Sequence, residues 1–277
     1  MKIKFLGTGA SEGTPAIFCE CDVCRHAREN KGKFLRTRAG VLVDEKLLID
    51  FSPDAYTNSI KYDIHLSALK TILMTHSHED HYFPMDMTSR ASFTCLGRIE
   101  DILTVYGGEP LEKELKRFGW QRNKELTRNL QFNRVTAKET FETPSGHKVT
   151  AYPTDHMLDE ECYIYLIQKD GKSYLQCHDS GVPYDWVLET IKQKGVKLDM
   201  VALDCTYGMI ETEYGGHMNL NQNIRVKNKM QELGIADEST KFYATHIAHC
   251  GGHYEAIERK ANANGLFVAY DGLDVEI

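Results

Sequence analysis

The segment Thr75-His76-Ser77-His78-Glu79-Asp80-His81 constrains this chain more than any other stretch. It follows directly on the apolar, β-favouring segment Lys70–Met74. Four potential ligands within six residues (His76, His78, Asp80, His81) cannot all face one way on a helix or a strand. A tight loop leaving a strand can turn all of them into one cavity. Imidazole and carboxylate together suit Zn, Mn or Fe, and two such sets can hold cations close enough to share an oxygen.

A loop of this kind needs a rigid frame, and the remaining chain supplies one. Lys2–Leu6, Gly40–Val43, Lys46–Asp50 and Thr71–Thr75 read as strands, the middle two joined around an Asp44-Glu45 turn. Helices are predicted at Asp54–Ile60, Met85–Phe93 and Pro110–Phe118. In the second half, Lys148–Pro153, Cys162–Gln168, Ser173–Cys177, Met200–Leu203 and Phe242–Thr245 read as strands, and Pro183–Lys194, Asn219–Leu233 and His253–Ala263 as helices. Strands cluster in both halves with helices between them, so the expected α/β fold is two packed sheets with helices outside. With no linker, repeat or low-complexity tract, residues 1–277 read as one continuous domain. Asp50, His76, Asp179, Asp204 and His246 all fall where a strand ends, the usual seat of catalytic groups.

The His-x-His-x-Asp-His run resembles the signature of the metallo-β-lactamase superfamily. The resemblance reaches from Gly7-Thr8-Gly9 to Tyr270-Asp271-Gly272 and implies an αββα sandwich of two mixed β-sheets flanked by helices. It further implies one divalent metal on His76, His78 and His156, a second on Asp80, His81 and His246, and Asp179 bridging them. Asp50 takes the place of a carboxylate that orients a ligand histidine. Asp155 and His178 adjoin two of these positions; His156 is preferred because a histidine closes that motif, and Asp179 because a bridge needs a carboxylate. A histidine at position 78, where redox relatives carry Glu, implies hydrolysis. The expected reaction is attack of a metal-bridging hydroxide on a small, cyclic phosphodiester, with Asp80 a ligand rather than a base and His217 the proton donor.

Eight cysteines add a second constraint. Cys19, Cys21 and Cys24 crowd into one loop, a spacing that reads as a metal site rather than a disulfide framework. A closed structural zinc needs a fourth ligand, and His249 in Thr245-His246-Ile247-Ala248-His249 can supply it, with His253 the second choice. The combination of Gly-Thr-Gly, the cysteines, the histidine run and Thr-His-x-x-His resembles the cyclic phosphodiesterases of the bacterial carbon–phosphorus lyase pathway. That resemblance implies the same four zinc ligands and places His217, after Gly215-Gly216, near the substrate. A related group with similar cysteines serves quinone-cofactor biosynthesis. His26, His65, His147 and His253 otherwise read as surface or locally bonded residues.

Charge then narrows the partners. With 33 Lys and Arg against 40 Asp and Glu, the net charge is −7, and no broad positive field exists to gather a nucleic acid. This disfavours the main rival, a tRNA-processing endonuclease of the same superfamily; a non-catalytic metal-binding accessory protein is the rival of another class. No apolar stretch is long enough for a signal or a membrane span, so the expected compartment is the cytoplasm. The expected cofactors are two active-site divalent metals (Zn or Mn, with Fe as a third option) and one structural Zn. A homodimer is compatible with the chain, although no residue in it fixes the oligomeric state.

Overall fold

The computed structural model describes residues 1–277 apart from 92–94, 98–100, 123–128 and 213. From the N-terminus run β1 (Lys2–Gly7), α1 (Asp22–Asn30), β2 (Gly40–Val43), β3 (Leu47–Ile49), α2 (Ala55–Lys61) and β4 (Thr71–Leu73). Next come α3 (Pro84–Met87), β5 (Leu103–Gly107), α4 (Glu109–Arg122), β6 (Leu130–Arg134), β7 (Thr140–Glu142), β8 (Lys148–Thr154), β9 (Cys162–Lys169) and β10 (Lys172–Cys177). The chain continues through α5 (Asp185–Gln193), β11 (Met200–Asp204), α6 (Leu220–Glu232), β12 (Lys241–Thr245), α7 (Tyr254–Asn262), β13 (Phe267–Val268) and β14 (Asp274–Glu276).

These strands form two seven-stranded sheets, ordered β14-β1-β2-β3-β4-β5-β6 and β13-β12-β11-β10-β9-β8-β7. Each is mixed. In the first, β14, β1, β2 and β3 pair antiparallel, whereas β3 to β6 run parallel. In the second, β7 to β10 are antiparallel and β10 to β13 parallel. The β2–β3 hairpin turns through Asp44 and Glu45, both with positive φ, the twist that tight hairpins favour.

Alternation along the strands splits the apolar side chains into three layers. Ile3, Phe5, Val41 and Ile49 meet Val149, Tyr165, Tyr174 and Ala202 between the sheets. Leu42, Leu48, Ile72 and Val105 pack outward on Met87, Leu111 and Leu115 of α3 and α4. On the far side, Ile164, Leu175 and Leu203 pack on Leu188, Val226 and Ile257 of α5, α6 and α7. The result is the αββα sandwich that the resemblance implies.

Local differences from the sequence reading have physical causes. The helix expected over Met85–Phe93 is the short α3 followed by a 3-10 turn at Thr88–Ala91; Phe93 lies outside the described residues. The α5 helix starts at Asp185 rather than Pro183. Helix α1 was not anticipated, because the cysteines hid its start: Cys21 is its N-cap and Cys24 lies in its first turn. Strands β13 and β14 span two and three residues, too few for a periodic signal. The predicted cap of α6 is present, Asn219 and Gln222 each accepting from the other's backbone N–H.

Candidate metal centre

The parallel strands β3, β4, β10, β11 and β12 end at one rim of the sandwich, and the loops leaving them carry the polar residues inward. Asp50 follows β3, the histidine run follows β4, Asp179 follows β10, Asp204 ends β11, and His246 follows β12. Antiparallel β8 brings His156 to the same rim. Three of these residues sit on strained backbone: Asp50, Asp179 and His246 have φ of 61°, 37° and 56°. Left-handed conformations cost a non-glycine residue of order 1–3 kcal/mol and concentrate at functional sites.

Two of the donor groups that result match the expected ligand sets, and a third joins Asp179, Asp204, His217 and His246. His76, His78, His156 and Asp179 hold one ligand-capable atom each within 4.8 Å of one another, and so do Asp80, His81, Asp179 and His246. Asp179 belongs to both. The ring nitrogens converge: His156 Nε2 lies 3.0 Å from His78 Nδ1, and His81 Nε2 lies 3.2 Å from His246 Nε2. Asp179 Oδ2 lies 2.9 Å from His81 Nε2, 3.3 Å from His76 Nε2 and 3.4 Å from His156 Nε2. Asp80 Oδ2 lies 3.2 Å from His81 Nε2 and 3.6 Å from His246 Nε2. His78 is exposed and His156 half-buried, so the first group opens to solvent, while every member of the second is buried.

The far side of each buried ring is held. His81 Nδ1 donates to Asp50 Oδ2 at 2.7 Å and His156 Nδ1 to the Gly216 carbonyl at 3.1 Å. His76 Nδ1 lies 2.9 Å from Thr75 Oγ1, and His246 Nδ1 lies 2.9 Å from Thr206 Oγ1. Assigning the proton to Nδ1 in each ring leaves Nε2 as a lone pair directed at the centre, the arrangement metal-binding histidines use. His76 Nε2 makes no well-directed hydrogen bond to protein, although it is buried. Such a lone pair needs a partner, and a cation among these donors is one.

Charge tells the same story. Burial opposes ionisation of Asp179, but His246 and His81 override it and hold the carboxyl well below its usual range. Asp80 and Asp50 are likewise held low against burial, chiefly by His81. His76 is pushed down to about 3, by burial first and then by the charge of His81. Without a cation, the positive charge that balances these carboxylates falls to His81 and His246, which the same carboxylates hold protonated against burial; a divalent cation on their Nε2 atoms would take its place.

His217 also reaches the centre. Its Nδ1 lies 3.1 Å from Asp204 Oδ2 and 3.5 Å from Asp179 Oδ1, and its ring meets that of His156 edge-on at 4.9 Å. Burial lowers its pKa, but Asp204 and Asp179 outweigh burial and the net shift is upward. The preceding glycines permit the approach: a Cβ on Gly215 would stand 2.8 Å from Asp155 Oδ2, and Gly216 has φ +84° against His156. Asp155 itself is exposed and His178 points elsewhere, its Nδ1 3.6 Å from Asp50, so neither belongs to the two groups that match the expected ligands.

The cysteine loop forms a separate cluster. Cys19, Cys21, Cys24 and His249 bring their donor atoms within 4.8 Å of one another, with His249 Nδ1 3.4 Å from Cys21 Sγ and 3.8 Å from Cys19 Sγ. Burial raises the Cys21 thiol, but hydrogen bonds from the Cys24 backbone and His249 win and lower it to about 6. Burial pushes Cys24 up to about 11. His253 pairs with His26 and Glu255 instead. His147 is fully buried but locally satisfied by Asp44 and Ser145.

Sequence reasoning missed Thr75 and Thr206 as parts of the site, and it placed Asp204 at a strand end without giving it a role. Thr75 donates to Asp50 and adjoins His76; Asp204 holds His217 and Thr206. Asp204 carried a readable signal, a carboxylate closing the apolar strand Met200–Leu203. The threonines carried none.

Comparison with known proteins agrees with this architecture. A family model for the β-lactamase superfamily domain matches residues 45–247. A solved diphosphatase of the PhnP family shares 26% identity, with all of this chain and 96% of that one superposed at a TM-score of 0.76. Zn(2+)-bound PqqB from Methylobacterium extorquens (18% identity, TM-score 0.73, 100% of each chain) and human short-form tRNase Z (16%, 0.68, 100% and 99%) share the fold. Among curated proteins, an octanoyltransferase of Porphyromonas gingivalis is 35% identical over 88 residues, 31% of this chain. The match spans only 17% of that protein's length. A family match over well more than half of the 277 residues, on two sheets that carry the donor groups at their common rim, establishes that the chain belongs to the metallo-β-lactamase superfamily of hydrolases.

Proposed function

We propose that this chain is a dinuclear metal-dependent phosphodiesterase acting on a small phosphodiester, a cyclic one included. One observation carries the reading: two four-donor groups share Asp179, and His217 stands beside both. His76, His78 and His156 would hold one cation, Asp80, His81 and His246 the other, with Asp179 between them. Zn and Mn suit this mixture of imidazole and carboxylate, and Fe is also accommodated. When bound, the cations supply Lewis acidity, lowering the pKa of water and offsetting charge on phosphate oxygens.

The chain's own residues do the rest. Asp50, Thr75, Thr206 and the Gly216 carbonyl fix the ligand rings. Asp204 accepts from His217 Nδ1, which leaves Nε2–H free to be given to a leaving oxygen. Asp80 is held too acidic to serve as a base, so its part is ligation. Cys19, Cys21, Cys24 and His249 would hold a structural Zn that pins the N-terminal loop to the turn after β12. Because the donor groups draw on both sheets, residues 1–277 act as one unit.

The 26% identity to a diphosphatase makes cleavage of a diphosphate the second reading. The test is direct: metal content of the purified chain, then turnover of a five-membered cyclic ribose phosphodiester, bis(p-nitrophenyl) phosphate, a nucleoside diphosphate ester and a precursor tRNA. Preference for the cyclic ester with about two active-site metals per chain is expected. Turnover of only the diphosphate or only the tRNA would reject the phosphodiester reading, and no turnover with both groups occupied would leave a metal-binding accessory protein.

A further inference from the structure

A further cluster of ligand-type side chains lies away from the rim centre and the cysteine loop, where α1 faces the start of α7. His26 comes from α1; His253 is the N-cap of α7, and Glu255 lies in its first turn. One donor atom from each stands within 4.8 Å of the other two, although His26 and Glu255 are 229 residues apart in sequence. His26 Nε2 donates to Glu255 Oε1 at 3.1 Å, and the His26 and His253 rings meet edge-on with centroids 5.4 Å apart. Solvent reaches all three: the His26 and Glu255 side chains are 33% and 42% exposed, and His253 is exposed.

An ordinary His–Glu pair would not need His253. A side chain at an N-cap usually accepts from a first-turn N–H, but His253 makes no such bond. Its ring stands against His26 instead and has no side-chain hydrogen bond among the described residues. The His26 ring is steadied on its other sides: Asn30 Nδ2 lies 3.3 Å from Nδ1, and Phe34 packs on it edge-on at 4.7 Å. That leaves Nε2 on the Glu255 side, and a ring fixed through its second nitrogen is what metal-ligating histidines use. The same two segments meet at the cysteine cluster, with Cys24 in α1 and His249 in the turn before α7. Packing of the fold, and not the pair alone, therefore sets the approach.

Donor chemistry selects the ligand class. Two imidazoles and one carboxylate suit the borderline cations Zn, Ni, Co and Cu, whereas Mg and Ca prefer oxygen donors throughout. Three protein donors leave coordination positions for water, so the site is open where a cysteine-type zinc site is closed. We propose that His26, His253 and Glu255 form a peripheral site for one such divalent cation, separate from the rim centre and the cysteine cluster, that fastens α1 to α7. The cation replaces the proton that His26 Nε2 shares with Glu255, and binding releases that proton to solvent.

The test uses the full chain, loaded with zinc and desalted so that tighter sites are filled before nickel is added. Calorimetric titration should show one further equivalent of nickel bound, and magnesium at the same concentration should show none. Losing even an outer hydrogen-bond partner costs a metal site about 10–100-fold, so His253→Ala, which removes a direct ligand, should weaken nickel at least about 100-fold. Glu255→Gln keeps the shape and removes the charge; it is the second variant and should weaken nickel at least about tenfold. Crystals soaked in nickel should show an anomalous peak among the three side chains. No further equivalent, or no such peak, would overturn the proposal. So would equal nickel affinity in wild type and both variants, or a thiolate-to-nickel charge-transfer band, which would put the added ion on the cysteines.

Discussion

The two clusters of candidate metal ligands at the sheet rim and in the cysteine loop are built in opposite ways. In the centre at the sheet rim, donors separated by up to 170 residues of chain converge, from His76 to His246, and four of the rings have their second nitrogen held. The cysteine cluster takes three donors from a six-residue stretch at the surface and only one from afar, His249. The first is preorganised by the whole sandwich; the second organises a loop that has little core of its own. Metal should therefore be a tenant of the first site and a structural member of the second.

That contrast can be broken most sharply at its shared carboxylate. Asp179→Asn should cost at least about 10²–10³-fold in kcat/KM, the scale of losing one group that organises transition-state charge, with reduced metal content by elemental analysis. Full turnover by a metal-loaded Asp179→Asn protein would remove the bridge from the reading.

His217 comes next. His217→Gln should lower kcat by roughly 10²-fold if the ring gives a proton to the leaving oxygen. Its pKa is raised, chiefly because Asp204 and Asp179 outweigh burial, so the acid form persists above the ordinary imidazole value. The wild-type rate should then fall on the alkaline side of that value, and the variant should lack this limb. An unchanged pH–rate profile would make His217 a positioning residue only.

Asp50→Asn tests the support for the rings. It weakens the 2.7 Å bond to His81 while leaving all proposed ligands in place, and metal affinity should drop about 10–100-fold. Fold stability should be nearly intact if the sandwich is self-sufficient.

Cys24→Ser should do the reverse: one structural metal lost, the two active-site metals retained. A loss of about 2 kcal/mol would lower the thermal midpoint by roughly 4–8 °C. Loss of all metals together would deny that the clusters are independent.

The smallest effect is expected at Glu160, whose carboxylate accepts from Ser77 between two of the proposed ligands. Glu160→Ala should raise KM or lower metal affinity about five- to tenfold, the worth of one such hydrogen bond.

Much of this was legible in the sequence. The run from His76 to His81 marked a candidate metal loop by residue type and spacing alone, and each long strand before a polar cluster was marked by its apolar run. Spacing also grouped Cys19, Cys21 and Cys24, since ligands that share one loop are neighbours whatever the rest of the fold does. His156, Asp179, His217 and His246 are different: each is a single polar residue after a strand, and only resemblance tied them to the centre.

What the tertiary structure alone decided is which polar residues face the same point. It brings Asp204 and Thr206 under His217 and His246, and Thr75 against Asp50 and His76, contacts that no spacing announces. It also turns His178 toward Asp50 while Asp179, one residue on, faces the ligand rings. The physical reason is one of range. Residue chemistry and local periodicity are properties of a short stretch of chain, whereas convergence depends on how two sheets pack and where their strands end.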